Sequence, residues 1–238
     1  MIIADDFGVN IEDDKIICEL LNSKRIHGTS ILINHIKDDS INLIKNRNHG
    51  LIGIHLDLNI SPIKSAFLNA NNKEVLKEQI DSQIFKFIDV FNSHPDFIDG
   101  HRHVHAYFNV PFILINALSK INYDGFVRVS AEKISFTNLL SLYKRGSLIK
   151  GVFVSLISLL LANRLKKNNI KFNKKFLGFY DLSKYKDSES SFYEIMALYD
   201  QDTLLMVHPG AGKDSSNHSK HLAVNRIMEA NLLMEIKK

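Results

Sequence analysis

The sequence predicts an α/β fold built on a parallel sheet, open or closed. Short apolar segments with strand character alternate along the chain with segments of helical periodicity, and this alternation is typical of βαβ units. The 238 residues, of which 45% are hydrophobic, are enough for one sizeable core. No internal repeat, proline-rich linker or low-complexity tail divides the sequence. We therefore expect a single domain over residues 1–238.

The predicted strands are short and apolar. They cover residues 2–4, 29–34, 51–58, 97–100, 126–129, 176–179 and 203–207. The predicted helices cover residues 11–23, 41–47, 111–120 and 220–236, with long helical material over 139–165. One more helix precedes the strand at 97–100, because six apolar residues recur on one of its faces. They are Val75, Ile80, Ile84, Phe87, Ile88 and Phe91. Residues 61–72 and 210–219 have weak patterns and are expected to be loops over a site.

The basic character of the chain does not by itself indicate a nucleic-acid partner. The formal net charge is +4, and many of the lysines are dispersed among asparagine and isoleucine. The densest basic segment, residues 164–175, contains six Lys or Arg. A solvated surface is the favoured interpretation of that segment, and a site for a phosphate on a substrate carrier is the alternative.

Three features predict a cytoplasmic protein without a transmembrane segment. Cys18 is the single cysteine, so no intrachain disulfide argues for secretion. The first residues lack the basic start and the apolar length of a signal peptide. The most apolar segment, residues 152–162, is too short to span a bilayer. It is expected to form a buried helix, and docking on a membrane surface is the less favoured alternative.

Two adjacent carboxylates follow the first predicted strand. Neighbouring residues of a strand point to opposite sides, so Asp5 and Asp6 cannot serve the same role. One of them is suited to bind a metal ion while the other accepts a proton. The alternative is a pair of N-cap residues, because Asp is favoured just before the first turn of a helix.

Histidines lie at the ends of three further apolar segments. These are His55, the group His101, His103 and His105, and His208 before Pro-Gly. A hydrogen-bonded core histidine is the alternative for His55, and the three grouped histidines reach one ion only if the strand bends between them. The carboxyl ends of parallel strands meet at one edge of a sheet, so these residues are expected to converge. A carboxylate with two imidazoles leaves coordination positions open, and the set therefore favours a metal-dependent hydrolase.

Four segments together resemble the YdjC/ChbG-like carbohydrate deacetylases, which are relatives of the NodB-type polysaccharide deacetylases. The segments are Ala-Asp-Asp-Phe-Gly at 4–8, Gly-Ile-His-Leu-Asp-Leu at 53–58, Asp-Gly-His-Arg-His-Val-His at 99–105 and Val-His-Pro-Gly at 207–210. Their order and spacing agree over nearly the whole chain. The resemblance implies a single-domain, irregular (β/α) barrel of the TIM-like kind that hydrolyses N-acetyl groups on sugars.

The resemblance also implies the roles of individual residues. By position, the metal ligands are Asp6, His55 and His101, the general base is Asp5 and the general acid is His208. An imidazole suits the last role because the amine must be protonated as it leaves.

Further roles, the cofactor and the partners are implied in the same way. Arg128 is expected to orient the catalytic carboxylate by a charge-assisted hydrogen bond, and His103 and His105 are expected to contact substrate. The cofactor is one divalent metal ion. The family is described with magnesium, whereas two imidazoles and one carboxylate suit zinc, manganese, cobalt or iron at least as well. The expected partner is an N-acetylated sugar or oligosaccharide, free or carrier-linked. A homodimer remains open.

Departures from the family pattern limit what the resemblance implies. Ile3 stands where the family commonly has Asn, and the loop after Asn59 is shorter than in other members, so the identity of the sugar does not transfer. Two other classes stay open. A two-metal phosphoesterase would need further ligands, for which Asp57, His103 and His105 are the spare candidates. The other is a non-catalytic saccharide-binding protein of the same fold.

Overall fold

A single parallel sheet forms the centre of the computed structural model, which describes residues 1–181, 188–212 and 220–235. Its strands are β1 (Ile2–Phe7), β2 (Gly28–Ile31), β3 (Leu51–Leu56), β4 (Phe97–Gly100), β5 (Phe126–Val127), β6 (Lys171–Phe172), β7 (Lys175–Leu177) and β8 (Thr203–Val207). They pair in the order β6-β5-β4-β3-β2-β1-β8-β7, and every pairing is parallel.

The two ends of the sheet lie next to each other in the sequence. A flat sheet of eight strands would separate its outer strands by roughly 34 Å. The two residues that link β6 to β7, Asn173 and Lys174, span at most about 11 Å. The sheet therefore curls until its ends meet, which confirms the predicted irregular (β/α) barrel.

The side chain of Asn173 continues the pairing where the barrel closes. Its Oδ1 accepts a hydrogen bond from the backbone nitrogen of Val129 at 2.7 Å, and its Nδ2 donates to the Val129 carbonyl at 3.0 Å. A neighbouring strand would offer the same donor and acceptor.

Helices alternate with the strands. They are α1 (Ile11–Asn22), α2 (Asp38–Lys45), α3 (Pro62–Ala66), α4 (Ala70–Phe91), α5 (Val110–Lys120), α6 (Phe136–Lys144), α7 (Leu148–Lys167), α8 (Ser188–Leu198) and α9 (Lys220–Glu235), with a 3-10 segment at His101–Ala106. Polar side chains cap several of them. Asn10 accepts from the backbone nitrogen of Asp13 at the start of α1, so the N-cap alternative for Asp5 and Asp6 is wrong.

Some predicted boundaries differ from the structure. The strand predicted at 29–34 ends at Ile31, and β1 continues to Phe7. The helical material predicted over 139–165 is two helices, because Gly146 turns the chain with a positive φ of 70° between α6 and α7. The strand predicted at 176–179 is replaced by β6 and β7.

The predicted loops and the long helix also need correction. Residues 61–72 contain α3 and the start of α4, because Ser61 caps α3 and Asn69 caps α4. Residues 213–219 of the other predicted loop lie outside the described residues. On α4, Val75 is 51% exposed, so it does not belong to the buried face that contains Ile80, Ile84 and Phe87.

Apolar side chains pack inside the curled sheet, directly below the site. A compact inner cluster contains Ile3, Phe97, Phe176, Phe179, Leu204 and Met206, together with Leu142 of α6 and Val154 of α7. Gly53 of β3 faces this cluster, and a Cβ there would lie 2.5 Å from the Phe97 ring. Only glycine leaves room for that ring. A second, larger cluster packs between the sheet and the surrounding helices.

The apolar segment at 152–162 lies within α7. The prediction of a buried helix holds for one face, which includes Val154, Ile157 and Leu161. Another face is exposed, and it includes Leu156 and Leu160. By length and composition α7 could cross a membrane, although 39% of its most apolar part is buried within the protein.

Candidate active site and metal centre

The site is built at the carboxyl ends of the strands. On five strands an inward-facing residue is followed, two positions later, by a polar residue on the same side. The five pairs are Ile3 and Asp5, Gly53 and His55, Phe97 and Asp99, Phe126 and Arg128, and Met206 and His208. The polar members therefore lie directly above the inner cluster, where sites of β/α barrels are formed.

Arg128 holds two carboxylates in place. Its Nη1 and Nη2 donate to Oδ1 and Oδ2 of Asp5 at 2.6 and 2.8 Å, and Nη1 also lies 2.9 Å from Oδ2 of Asp99. All three side chains are buried. Burial would raise the pKa of Asp5, but Arg128 and His55 outweigh it and hold that pKa below its usual value. Arg128 therefore fixes the orientation of the Asp5 carboxylate by two charge-assisted hydrogen bonds.

The ring of His55 is held in place by contacts to its Nδ1. Its Nδ1 lies 2.5 Å from Oδ1 of Asp99 and 3.1 Å from the hydroxyl of Ser30. Its Nε2 faces Asp6, 3.5 Å from Oδ1. Burial would lower the pKa of His55, but Asp99 and Asp5 raise it to about 9. A carboxylate behind an imidazole is the usual way in which proteins orient a metal-binding histidine.

Asp6 adopts an unusual backbone conformation that brings it into the site. Its φ is +67°, in the left-handed region that non-glycine residues rarely adopt. Its Oδ1 lies 3.1 Å from Nδ1 of His101, and its Oδ2 lies 3.1 Å from Nη2 of Arg226. Burial opposes ionisation of Asp6, yet His101 and His55 hold its pKa well below the usual value.

The donor atoms of Asp6, His55 and His101 suit a metal ion. One donor atom from each lies within 4.8 Å of the other two, which is the spacing of ligands around a common centre. The cluster around them is rich in acid. Among the described residues, Asp5, Asp6, Asp13 and Asp99 pair with two guanidinium groups, Arg128 and Arg226. A divalent cation would balance that charge. The structure thus brings together the three ligands that the resemblance implied.

The histidine run does not continue as a strand. β4 ends at Gly100, and Arg102 and His103 have positive φ angles of 52° and 63°. This turn bends the chain directly after β4, so the three histidines do not share one strand face.

His103 and His105 are both buried and fixed by neighbouring groups. His103 contacts the hydroxyl of Ser130 through Nδ1 at 3.1 Å, and its ring packs against Phe179. Nε2 of His105 lies 2.9 Å from the Arg128 carbonyl. Burial lowers the pKa of both, for His105 to about 3. His103 lines the site cavity, whereas His105 lies behind Arg128 and is not brought to it.

His208 completes the site from the other side. It follows β8 and lines the same cavity as Asp5, His55 and His101. Its backbone nitrogen donates to Oε2 of Glu229 on α9. Burial lowers the pKa of His208 to about 4, although Asp6 and Asp5 oppose that shift. Burial also raises the pKa of Glu229, to about 8.

The cavity is small and opens beside a larger groove. It has a volume of about 120 Å³, and its wall includes Lys150, Phe179 and Tyr180. The Tyr180 hydroxyl has no hydrogen-bond partner among the described residues. The groove has a volume of about 810 Å³ and shares His101 and Arg102 with the cavity. A small group can enter the cavity while the rest of a larger molecule lies in the groove.

Several residues of the site were not assigned from the sequence, and four of them bond directly to the predicted site residues. They are Ser30, Asp99, Arg226 and Glu229. Asp99 had a usable signal, because it stands just before the glycine that ends an apolar segment. Arg226 and Glu229 had none, because both lie on a helix that contacts the site only in the folded protein.

Two solved structures align with nearly the whole chain. A protein of Enterococcus faecalis, provisionally named a cellobiose-phosphate cleavage protein, has a crystal structure with a TM-score of 0.58 to this chain. The two are 17% identical, and the alignment covers 99% of this chain and 93% of that one. That likeness supports the fold. Orotidine 5′-monophosphate decarboxylase of Methanocaldococcus jannaschii has a TM-score of 0.42 and 10% identity, over 98% of this chain and 97% of its own.

Family assignment rests on the sequence itself. No curated protein matches the chain. The profile of the YdjC-like proteins matches residues 1–236, which include all of the site residues described above. The chain belongs to the YdjC-like family.

Proposed function

We propose that this protein is a metal-dependent hydrolase that removes N-acetyl groups from an amino sugar or oligosaccharide. The observation that carries the proposal is the convergence of two kinds of residue. A ligand set of Asp6, His55 and His101 lies beside a cavity that Asp5 and His208 also line. Hydrolysis of an amide needs both, because the carbonyl must be polarised and protons must be moved.

A divalent ion held by Asp6, His55 and His101 would supply a Lewis acid for the acetamide carbonyl and would lower the pKa of water. The other residues handle protons. The low pKa of Asp5 keeps it ionised at neutral pH, and the two hydrogen bonds from Arg128 fix its orientation toward the cavity. It can accept the proton that water loses. His208 lines the same cavity and in its protonated form would donate to the departing amine, although burial lowers its pKa to about 4 and so disfavours that form at neutral pH.

The dimensions of the site support an acetamido group as the part that reacts. The cavity of about 120 Å³ has no room for an oligosaccharide. The neighbouring groove is lined by polar side chains such as Asn34, Gln79 and Arg102, which offer hydrogen bonds to hydroxyl groups. The provisional name of the Enterococcus faecalis protein also refers to a carbohydrate.

A two-metal phosphoesterase is less consistent with the same residues. A second group of candidate ligands consists of Asp5, His55 and Asp99. Arg128 already bonds to both of those carboxylates, so a guanidinium group stands where a second ion would have to lie.

The experiment that tests the proposal is acetate release. Protein stripped of metal is reloaded with magnesium, manganese, cobalt or zinc and is incubated with N-acetylated sugars from single residues to oligosaccharides and carrier-linked forms. We expect release that depends on metal and that the Asp5→Asn variant does not show. Phosphate release from sugar phosphates without acetate release would favour the phosphoesterase instead. Saccharide binding without turnover under any metal would favour a binding protein.

A further inference from the structure

The excess positive charge of this protein lies in one continuous segment. Residues 133–180 contain ten Lys or Arg and no Asp or Glu. The whole chain has 30 basic and 26 acidic residues, so the rest holds 20 against 26 and is net acidic. The segment includes α6 and α7. Arg145 is buried and pairs with Glu132, but the exposed bases of such a block favour a partner of opposite charge.

The same segment exposes large apolar side chains. We call them the apolar stripe: Phe136, Leu140 and Tyr143 on α6, and Ile149, Phe153, Leu156 and Leu160 on α7. Their exposed fractions range from 39% to 86%. The spacings of four, three and four residues place the members of each helix on one face. An exposed apolar surface of this extent on a soluble domain marks an interaction site.

The two helices form one surface because they pack together. Leu142 of α6 contacts α7 closely enough that a Cβ on Gly151 would lie 2.7 Å from its Cδ2. Val154, Ile157 and Leu161 face the protein interior, so α7 is anchored on one side and presents the stripe on the other. The beginning of α7 also reaches the site, since Lys150 lines the cavity next to the exposed Ile149.

Unpaired basic side chains flank the apolar stripe. Some bases of the segment have acidic neighbours: Lys144 pairs with Glu194, Lys174 with Asp202 and Lys175 with Asp200. Lys133, Lys166 and Lys167 are exposed and have no acidic partner within 4 Å among the described residues. Lys166 and Lys167 end α7, and Lys133 precedes α6.

We propose that the apolar stripe and its flanking lysines dock the protein on the surface of an anionic lipid bilayer. Apolar residues with Lys or Arg beside them are the pattern of helices that lie in the membrane interface. A second copy of the chain fits this surface less well than an anionic bilayer does. A two-fold interface would place the same basic segment against itself, and like charges oppose such an association. The proposal does not depend on the reaction at the site.

Vesicle sedimentation tests the proposal. The intact protein is mixed with vesicles of phosphatidylcholine alone or of phosphatidylcholine with phosphatidylglycerol. We expect binding to the second kind only, and weaker binding at high salt. The double variant Leu156→Glu with Leu160→Glu should bind at least tenfold more weakly, roughly as expected when buried apolar area is lost and negative charge is added. Lys166→Gln with Lys167→Gln should also weaken binding, and it changes only exposed side chains.

The control is Val75→Glu with Phe85→Glu on α4. Val75 and Phe85 are 51% and 49% exposed, and Leu156 and Leu160 are each 51% exposed, so the two double variants are matched in exposure. The control should bind vesicles as the natural sequence does. Equal binding by both double variants, or no preference for phosphatidylglycerol, would overturn the proposal. The proposal would also be overturned if the natural protein were a dimer in solution, the Leu156→Glu with Leu160→Glu variant were a monomer, and neither protein bound vesicles.

Discussion

Asp99 lies behind His55 and bonds to its Nδ1 at 2.5 Å, so the other ring nitrogen is left to face Asp6. The first prediction follows from this contact. Asp99→Asn should reduce metal affinity about 10- to 100-fold, because the carboxylate both orients the ring and makes it a better donor. The measurement is a titration of metal-stripped protein. Asp81→Asn removes a carboxylate that pairs with Lys120 and lines neither the cavity nor the groove, so it should leave affinity unchanged. Equal affinity in the two variants would mean that Asp99 is only structural.

Asp5→Asn should abolish acetate release and leave the metal content largely intact. An amide cannot accept the proton from water, yet it can still accept a hydrogen bond from Arg128, which keeps Asp99 as a second partner. Metal analysis and a rate measurement on the same sample separate the two effects. Loss of metal from this variant would show that Asp5 is a ligand and not the base.

His55→Ala and His101→Ala should each lower the bound metal as well as the rate. Each removes one of three donor atoms that lie within 4.8 Å of one another, and the remaining two hold an ion weakly. His94→Ala is the control, because His94 is exposed and precedes β4 away from the site. Undiminished metal content in either site variant would contradict the ligand assignment.

His208→Ala should slow deacetylation by about 10²- to 10⁴-fold while metal binding is retained, the usual contribution of a positioned proton donor. His208 lines the cavity but is not among the three candidate ligands. A substrate with a better leaving group needs less protonation, so the loss should shrink with such a substrate. An unchanged rate on acetamido sugars would exclude His208 as the acid.

Arg128→Met should destabilise the fold by about 3–5 kcal/mol, because it leaves Asp5 and Asp99 buried without their shared partner. Urea unfolding measures the loss. Lys120→Met breaks an exposed ion pair with Asp81 and should cost about 0–1 kcal/mol. If the two variants unfolded at the same urea concentration, the buried pairs would not stabilise the protein.

Much of the fold could be predicted because its signals are local. The strands at 97–100 and 203–207 were predicted residue for residue, since each is a short apolar segment with clear ends. Two unusual backbone conformations in the site were harder to predict. Asp6 and His103 adopt positive φ angles. Asp and His are enriched in that conformation, but most of them do not adopt it, so the residue type alone does not predict it.

The candidate site was predicted in part for a similar reason. Residues at strand ends were found because the parallel sheet brings those ends together. Arg226, which bonds to Asp6 and Asp13, lies 220 residues beyond Asp6 on α9. Its position depends on how the last helix packs, and no local pattern contains that information. The exposed face of α7 corresponds to the less favoured interpretation of residues 152–162, because an apolar segment looks the same whether it faces a core or the solvent.

The closure of the barrel has a consequence for synthesis on the ribosome. β1 lies between β2 and β8, and β8 is the last of the strands to be made. Before β8 is made, one edge of β1 has no strand beside it, and the sheet cannot close. Contacts between residues so distant in sequence form slowly, and open strand edges favour aggregation. We therefore expect the newly made chain to be most prone to aggregation before residue 207 has left the exit tunnel.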